Sequence, residues 1–158
     1  MRTKKAPKRK INKDPVYNSL LVSKIINSCM YDGKKAIAQR HVYDALKIIK
    51  EKTKGDELKI LSEAIDNVSP QMEVRSRRVG GASYQVPMSI GSARKQTLAI
   101  RWLIQSARKK SNSEHHTFAS KLASELLEAH QNQGMSIKKK LDTHKMAEAN
   151  RAFAHFRW

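Results

Sequence analysis

The sequence predicts a mainly α-helical single domain, a bundle of about six helices with one protruding two-stranded β-hairpin, and three observations predict it. Apolar residues recur at spacings of three and four along most of the chain. A single stretch, MEVRSRRVGGASYQVPMSI from Met72 to Ile90, alternates at the strand period of two. The chain is 158 residues long with no internal repeat and no linker long enough to separate two domains, so it has the length of one domain burying roughly 70% of its unfolded surface.

Residues 1–14 hold seven Lys and Arg, among them Lys4, Lys5, Lys8, Arg9 and Lys10, against Asp14 as the only acid. With almost nothing apolar to bury, they are expected to be disordered until bound, either tracking phosphates or acting as a solubilising tail; the helical domain is read as 15–158. Leu20 to Tyr31 carries apolar groups at 21, 22, 25, 26, 29 and 30, the face of a first helix capped by Asn18 or Ser19 and ended at Gly33. Lys34 and Lys35 open a second helix that buries Ile37, Val42, Ala45, Leu46 and Ile49 before Gly55 stops it. Lysines at a helix start oppose the macrodipole, which fits either an anion held nearby or plain solvent exposure.

Asp56 caps a third helix, in which Leu58, Leu61, Ile65 and Val68 face inward until Pro70 prevents continuation. Asp56, Glu57, Glu63, Asp66 and Glu73 face only Lys59 between 56 and 73, so this helix is expected on the side away from a polyanion. Ser92 can cap helix four, where Arg94, Arg101 and Arg108 recur every seven residues as one basic stripe opposite Leu98, Trp102, Leu103 and Ile104. Helix five is expected to start at Ser113 and Glu114, to bury Phe118, Leu122 and Leu126, and to end near Gly134. Its Glu125 and Glu128 suggest a face turned to solvent or to a protein neighbour. From Ser136, a basic amphipathic helix with Lys138, Lys139, Lys140 and Lys145 ahead of Met146, Ala149, Phe153 and Phe156 closes the chain.

The hairpin turns at Gly80-Gly81, and two registers compete. A two-residue turn sets Arg75 beside Val86 and Arg77 beside Tyr84, mixing charge with apolar groups. A three- or five-residue loop sets Met72, Val74 and Ser76 across from Ile90, Met88 and Val86, leaving Arg75 and Arg77 opposite Pro87 and Gln85. Because a slip of one residue exchanges the faces, the odd-length loop is the expectation. A lone ribbon is marginal in water and Pro87 cannot donate a ladder bond, so the arm needs something to lie against. Arg75, Arg77 and Arg78 on such an arm point to phosphate, with Gly80 and Gly81 allowing close backbone approach. Tyr84 has two open roles, stacking on an exposed base or packing against the ribbon.

Thirty-two Lys and Arg against 14 Asp and Glu give a formal charge of +18, which calls for a polyanionic partner, nucleic acid first and anionic membrane second. The footprint is Val74 to Ser113, an acid-free run carrying nine cations, among them Arg94, Lys95, Arg101, Arg108 and Lys109. No apolar run approaches the roughly 18 residues of a spanning helix and no signal-peptide core follows the basic start, so the chain is expected to be neither membrane-inserted nor secreted. Cys29, the only cysteine, sits among apolar residues as a small buried thiol.

Catalytic motifs are lacking. DGKK at 32–35 has Ser28 where a phosphate loop needs glycine and Lys35 where it needs Ser or Thr, and Gly80-Gly81 lacks the rest of a dinucleotide fingerprint. The histidines, His115, His116 and His144 included, form no zinc motif, and the acids are not paired for a two-metal site. The expectation is therefore no enzyme, no cofactor, no metal and no small-molecule substrate.

MEVRSRRVGGASYQVP at 72–87, IRWL at 100–103, KKKLDTHKMAEANRAFAHFRW at 138–158, DPVYN at 14–18 and MYDGKKAIA at 30–38 closely resemble the bacterial and organellar small-subunit ribosomal protein S-seven family. The likeness runs over nearly the whole chain. It implies six helices with a β-ribbon, binding to the 3′ major (head) domain of small-subunit rRNA, and nucleation of head assembly beside the exit-site tRNA and the mRNA. It also implies a ribosome of the bacterial cytoplasm or the plastid stroma. By position, the basic tail, Lys34 and Lys35, Arg75, Arg77 and Arg78, and Arg94 and Lys95 would contact rRNA. The tip from Gly80 to Tyr84 and the last helix, with Lys138, Lys139, Lys140, Arg151 and Arg157, would lie toward tRNA, mRNA and the neighbouring ribosomal protein S-eleven. Leu141 departs from the family, which commonly has an acid there. The alternative from another class is an architectural or nucleoid DNA-binding protein whose basic β-arm enters a groove.

Overall fold

The computed structural model describes residues 10–156, so Lys4, Lys5, Lys8, Arg9 and Arg157, and residues 1–9 of the expected disordered tail, lie outside the described residues. The chain folds as α1 (Leu20–Cys29), α2 (Lys35–Thr53), α3 (Glu57–Val68), β1 (Met72–Val79), β2 (Ala82–Ser89), α4 (Ser92–Lys109), α5 (Phe118–His130), α6 (Gly134–Ala149) and a 3-10 helix (Arg151–Phe156). The mainly helical class with one antiparallel hairpin is as expected.

α5 is the centre of the bundle, packed on α2, α3, α4 and α6. Ala119, Ala123 and Ala129 are small enough to let those helices approach, and Leu122 and Leu126 fill the space with Leu46, Ile49, Leu61 and Leu103. Cys29 is buried, and burial pushes its thiol up to about 12 despite Arg108 nearby, so it is an inert neutral group.

Helix ends follow local chemistry, with some shifts from expectation. The Asp56 carboxylate accepts from Leu58 N at 2.9 Å and caps α3. Ser19 precedes α1 without a side-chain cap bond, whereas Asp14, the supposed end of the tail, is buried and accepts from Val16 N, Tyr17 N and the Tyr43 hydroxyl. α2 ends at Thr53, two residues before Gly55, because Lys54 itself takes the left-handed conformation (φ 51°) and returns its N–H to Lys50 O. Ile37 is exposed and Ala38 occupies the inward place, since the buried stripe of α2 runs 38, 42, 45, 46 and 49.

α5 starts at Phe118, capped by Thr117, and not at Ser113 and Glu114. Lys121 is buried with its ammonium on Lys110 O (2.6 Å), which pulls the preceding segment back into a loop. Gly134 opens α6 rather than closing α5, and α6 stops at Ala149, so Phe153 and Phe156 ride on the tighter 3-10 turn.

The hairpin overturns the expected register. Met72 pairs with Ser89, Arg75 with Val86, Arg77 with Tyr84 and Val79 with Ala82, closing on a two-residue turn. Gly80 (φ 57°) and Gly81 (φ 89°) both take positive φ, as the favoured two-residue hairpin turns require. Sorting charge from apolar groups presumes one buried face, but consecutive Val86 and Pro87, on opposite faces, are both buried. The ribbon root is covered on both sides, so turn chemistry decides the pairing.

Candidate nucleic-acid interface

A β-ribbon projects its root charges only if something holds them, and here that is one carboxylate. Glu73 is buried at the root, where Arg75 Nε donates to its Oε1 at 2.6 Å and Arg94 Nε of α4 to its Oε2 at 3.3 Å. Glu73 is thus the joint between ribbon and helix four, not a member of an acidic side with α3. Of the acids on α3, Glu57 pairs with Lys50 and Glu63 with His130.

Beyond the joint, Arg78 is exposed beside Gly80 and Gly81 at the tip, and Arg77 is half-buried across from Tyr84. The Tyr84 ring lies 5.3 Å from that of Phe153 and 5.1 Å from that of Phe156. Such tilted aromatic contacts hold the outer ribbon onto the 3-10 helix, which takes the packing role left open for Tyr84.

The stripe on α4 keeps its geometry, but its ends are engaged. Arg94 is tied to Glu73; Arg101 is exposed; Arg108 donates to Cys29 O at 3.1 Å and stacks 4.0 Å over the Tyr31 ring. Lys95 is half-buried one residue past Arg94. Lys109 at the end of α4 shares a groove over Trp102 with Lys138 and Lys139 of α6, and Asp142 on its rim offsets some of that charge. Lys140 is turned aside and donates to Asn67 O at the end of α3 (2.6 Å). Arg151 is exposed near His144, while Lys10, Lys34 and Lys35 are exposed at the opposite end, around α1 and α2.

The basic sequence thus divides. Arg78, Arg101, Lys109, Lys138 and Lys139 offer their charge outward, whereas Arg75, Arg94, Arg108 and Lys140 also hold elements together. Among the described residues, no group of three His, Cys, Asp or Glu is placed to hold a metal, and no helix is long and apolar enough to cross a membrane.

The profile of the family described as ribosomal protein S7p/S5e matches residues 1–151. The chain belongs to the ribosomal protein S7p/S5e family. It is 56% identical to the small ribosomal subunit protein uS7 of Thermosipho africanus and 51% identical to that of Nautilia profundicola, each over the full length of both chains. A third relative, the small ribosomal subunit protein uS7 of Campylobacter fetus, is 55% identical, again over the whole of both chains.

A member of the S7p/S5e family is a structural protein of the small ribosomal subunit, not an enzyme, and its partners are rRNA and other ribosomal proteins. Its basic surface is therefore that of an RNA-binding component of a ribonucleoprotein that works in translation. Sequence reasoning missed two features of this surface. Glu73 looked like one more acid in an acidic stretch, although Glu73-x-Arg75 at strand spacing already places both on one face of β1. Glu125 and Glu128 looked outward-facing, yet Glu125 is wholly buried and accepts from Ser136 N at 2.9 Å, while Glu128 takes the Lys110 ammonium. No pattern in the sequence announces that pairing, which crosses from α4 to α5.

Proposed function

We propose that this chain binds the 3′ major (head) domain of small-subunit rRNA and nucleates assembly of the subunit head, with the tRNA exit site and the mRNA near its ribbon and final helix. The observation that carries the reading is the exposed basic surface of ribbon tip and α4, with Arg78 and Arg101, on an arm that Glu73 fixes to the body. Such an arm suits A-form RNA, whose deep, narrow major groove admits side chains poorly, so that recognition rests on shape and on phosphates at helical junctions. The basic tail with Lys4, Lys5, Lys8 and Arg9, and the α2 start at Lys34 and Lys35, would add phosphate contacts. If about eight phosphates are neutralised, affinity falls on the order of ten-thousandfold between 50 and 200 mM salt. Lys138, Lys139 and Arg151 would lie toward tRNA, mRNA and the neighbouring ribosomal protein S-eleven.

The test is binding of the full chain to the rRNA head domain at about 0.15 M salt against excess duplex DNA and unrelated RNA, beside an Arg77→Ala, Arg78→Ala variant. Preference for the head domain, weakened in the variant, is the expected result. Equal competition by DNA overturns it and favours a nonspecific polyanion binder.

A further inference from the structure

Asp14 is the only acid among the first 31 residues, and it is 3% exposed. A buried carboxylate is costly unless donors surround it, and Asp14 has three. Its Oδ2 accepts from Val16 N and Tyr17 N, both at 3.1 Å, and its Oδ1 from the Tyr43 hydroxyl of α2 at 2.7 Å. Its own N–H donates to Ser19 O at 3.2 Å. Pro15 stiffens the same turn, because its ring fixes φ and biases Asp14 toward extended backbone. Burial and the Asp14 carboxylate push the Tyr43 hydroxyl up to about 12, so it stays a donor at neutral pH. Tyr17, at the end of the turn, packs on Tyr43 with ring centroids 5.7 Å apart.

α1 begins only at Leu20, so the bonds to Val16 and Tyr17 hold the turn ahead of the helix and not the helix itself. That turn is where the basic N-terminal segment joins the body. Residues 10–13 border a hollow of about 260 Å³ against α1 and α2, which Lys10 and Lys13 share with Asn27, Lys35 and Gln39. The donors to Asp14 are all neutral, so it fixes the chain without drawing an ammonium from Lys10, Lys13 or Lys35, which are exposed. A segment whose direction is fixed beforehand loses less conformational freedom when it binds. We infer that Asp14 is a positioning residue: through its turn and Tyr43 it sets the direction in which the basic N-terminal segment leaves the body, so that the segment meets rRNA as a preset arm and not as a free tether.

The inference rests on the reading of the chain as an rRNA-binding protein, and its test separates the two. Affinity of the full chain for the rRNA head domain is measured at about 0.15 M salt in a four-member cycle. Its members are the wild type, Asp14→Ala, a variant combining Lys4→Gln, Lys5→Gln, Lys8→Gln, Arg9→Gln and Lys10→Gln, and the two sets together. Asp14→Ala should lower affinity about five- to thirtyfold, the equivalent of ordering one more residue on binding. It should have no further effect once the five cations are gone, because it acts through them. Tyr43→Phe keeps the ring and the turn and removes only the donor from α2, and it should lose part of the same affinity with the fold intact by circular dichroism. An iron chelate tethered at Asn12→Cys, selective because Cys29 is buried and inert, should cleave the bound rRNA at one focused place, and diffusely when Asp14→Ala is added. If Asp14→Ala binds as the wild type does, or loses the same affinity with and without the five cations while cleavage stays focused, the residue only stabilises the body. The positioning role then falls and rRNA binding stands. Failure of the wild type to prefer the head domain removes both readings together.

Discussion

The ribbon root and the α5–α6 corner both join cations to carboxylates, and they use the cations differently. At the root, Glu73 is 11% exposed while Arg75 and Arg94, which share it, are 55% and 46% exposed. Each guanidinium has five donors and gives Glu73 only some of them, so both arginines hold the joint and still face outward. At the corner the proportions invert. Lys110 is 13% exposed, with Glu125 at 3.4 Å, the Ser124 hydroxyl at 3.0 Å and Glu128 in direct contact. Two donors of its ammonium are hydrogen-bonded, to Ser124 and Glu128, and its charge is shared with the buried Glu125 carboxylate, so little is left for a phosphate. Burial alone would raise the Glu128 carboxyl, but hydrogen bonds from Lys110 and Ser124 outweigh it and hold the group below its ordinary value. Gly134 completes the corner: a Cβ there would meet Glu128 Oε2 at 3.0 Å and Glu125 Oε1 at 3.2 Å. The lesson is that a cation in a basic run serves RNA or the fold according to how many of its donors the protein already uses.

Neighbouring lysines give the sharpest way to break that comparison. Lys110→Met strands the buried Glu125 carboxylate and should cost about 3–5 kcal/mol in urea unfolding. Lys109→Met, at an exposed position one residue earlier, should change stability by less than about 0.5 kcal/mol. In rRNA binding the order reverses: Lys109→Met should lower the slope of log affinity against log salt by about one, and Lys110→Met should leave it alone at a temperature where the variant is folded. Equal stability losses in the two would dissolve the distinction between corner and footprint.

That pair also marks where the sequence stops being legible. The helices were readable because their buried stripes are periodic: Leu98, Leu103 and Ile104, or Leu61, Ile65 and Val68, sit where spacings of three and four put them. Much of the outward charge was readable too, since Arg78, Arg101, Lys109, Lys138 and Lys139 are exposed as the acid-free and lysine-rich runs imply. Lys110 was not, because the carboxylates that turn it inward lie on the next helix, beyond a loop that no periodicity describes. The hairpin register failed for a related reason: Val86 and Pro87 are covered on opposite faces by elements distant in the chain, so amphipathic sorting had nothing to sort. Tyr31 escaped notice as a residue of a turn, a place where exposed aromatic rings carry no pattern.

A middle-sized test sharpens the root. Glu73→Gln keeps the shape but removes the charge shared by Arg75 and Arg94, and since both arginines are about half exposed the loss should be only about 1–2 kcal/mol. Released from their carboxylate, the arginines gain donors for phosphate. The salt slope of rRNA binding should therefore steepen even as the protein becomes less stable. A shallower slope would mean that Glu73 is needed to aim the arginines, and that the root resembles the corner more than exposure suggests.

The smallest effect concerns a contact that uses no cation at all. His144 Nε2 of α6 accepts from Gln71 N at 3.0 Å, the backbone just before the ribbon, so α6 and the root are joined through a neutral imidazole. Burial lowers the His144 pKa below its ordinary 6.5, and Lys140 one turn away adds to it. Arg151 and Glu148 border the same groove, but neither bonds the ring. The unfolded chain therefore takes up a proton at this site before the folded one does. The contribution is whole above the unfolded value and declines as pH falls through 6.5 toward the lower folded value. His144→Phe, which neither titrates nor accepts a hydrogen bond, should be less stable than the wild type at pH 7 by the worth of one backbone hydrogen bond, about 0.5–1.5 kcal/mol. Its stability should approach that of the wild type as the solution is acidified, the remaining histidines being common to both. Denaturant midpoints measured across that range decide it: parallel curves would mean that the His144–Gln71 bond does not depend on the neutral ring, and convergence that the ribbon is held to α6 by an acceptor which acid removes.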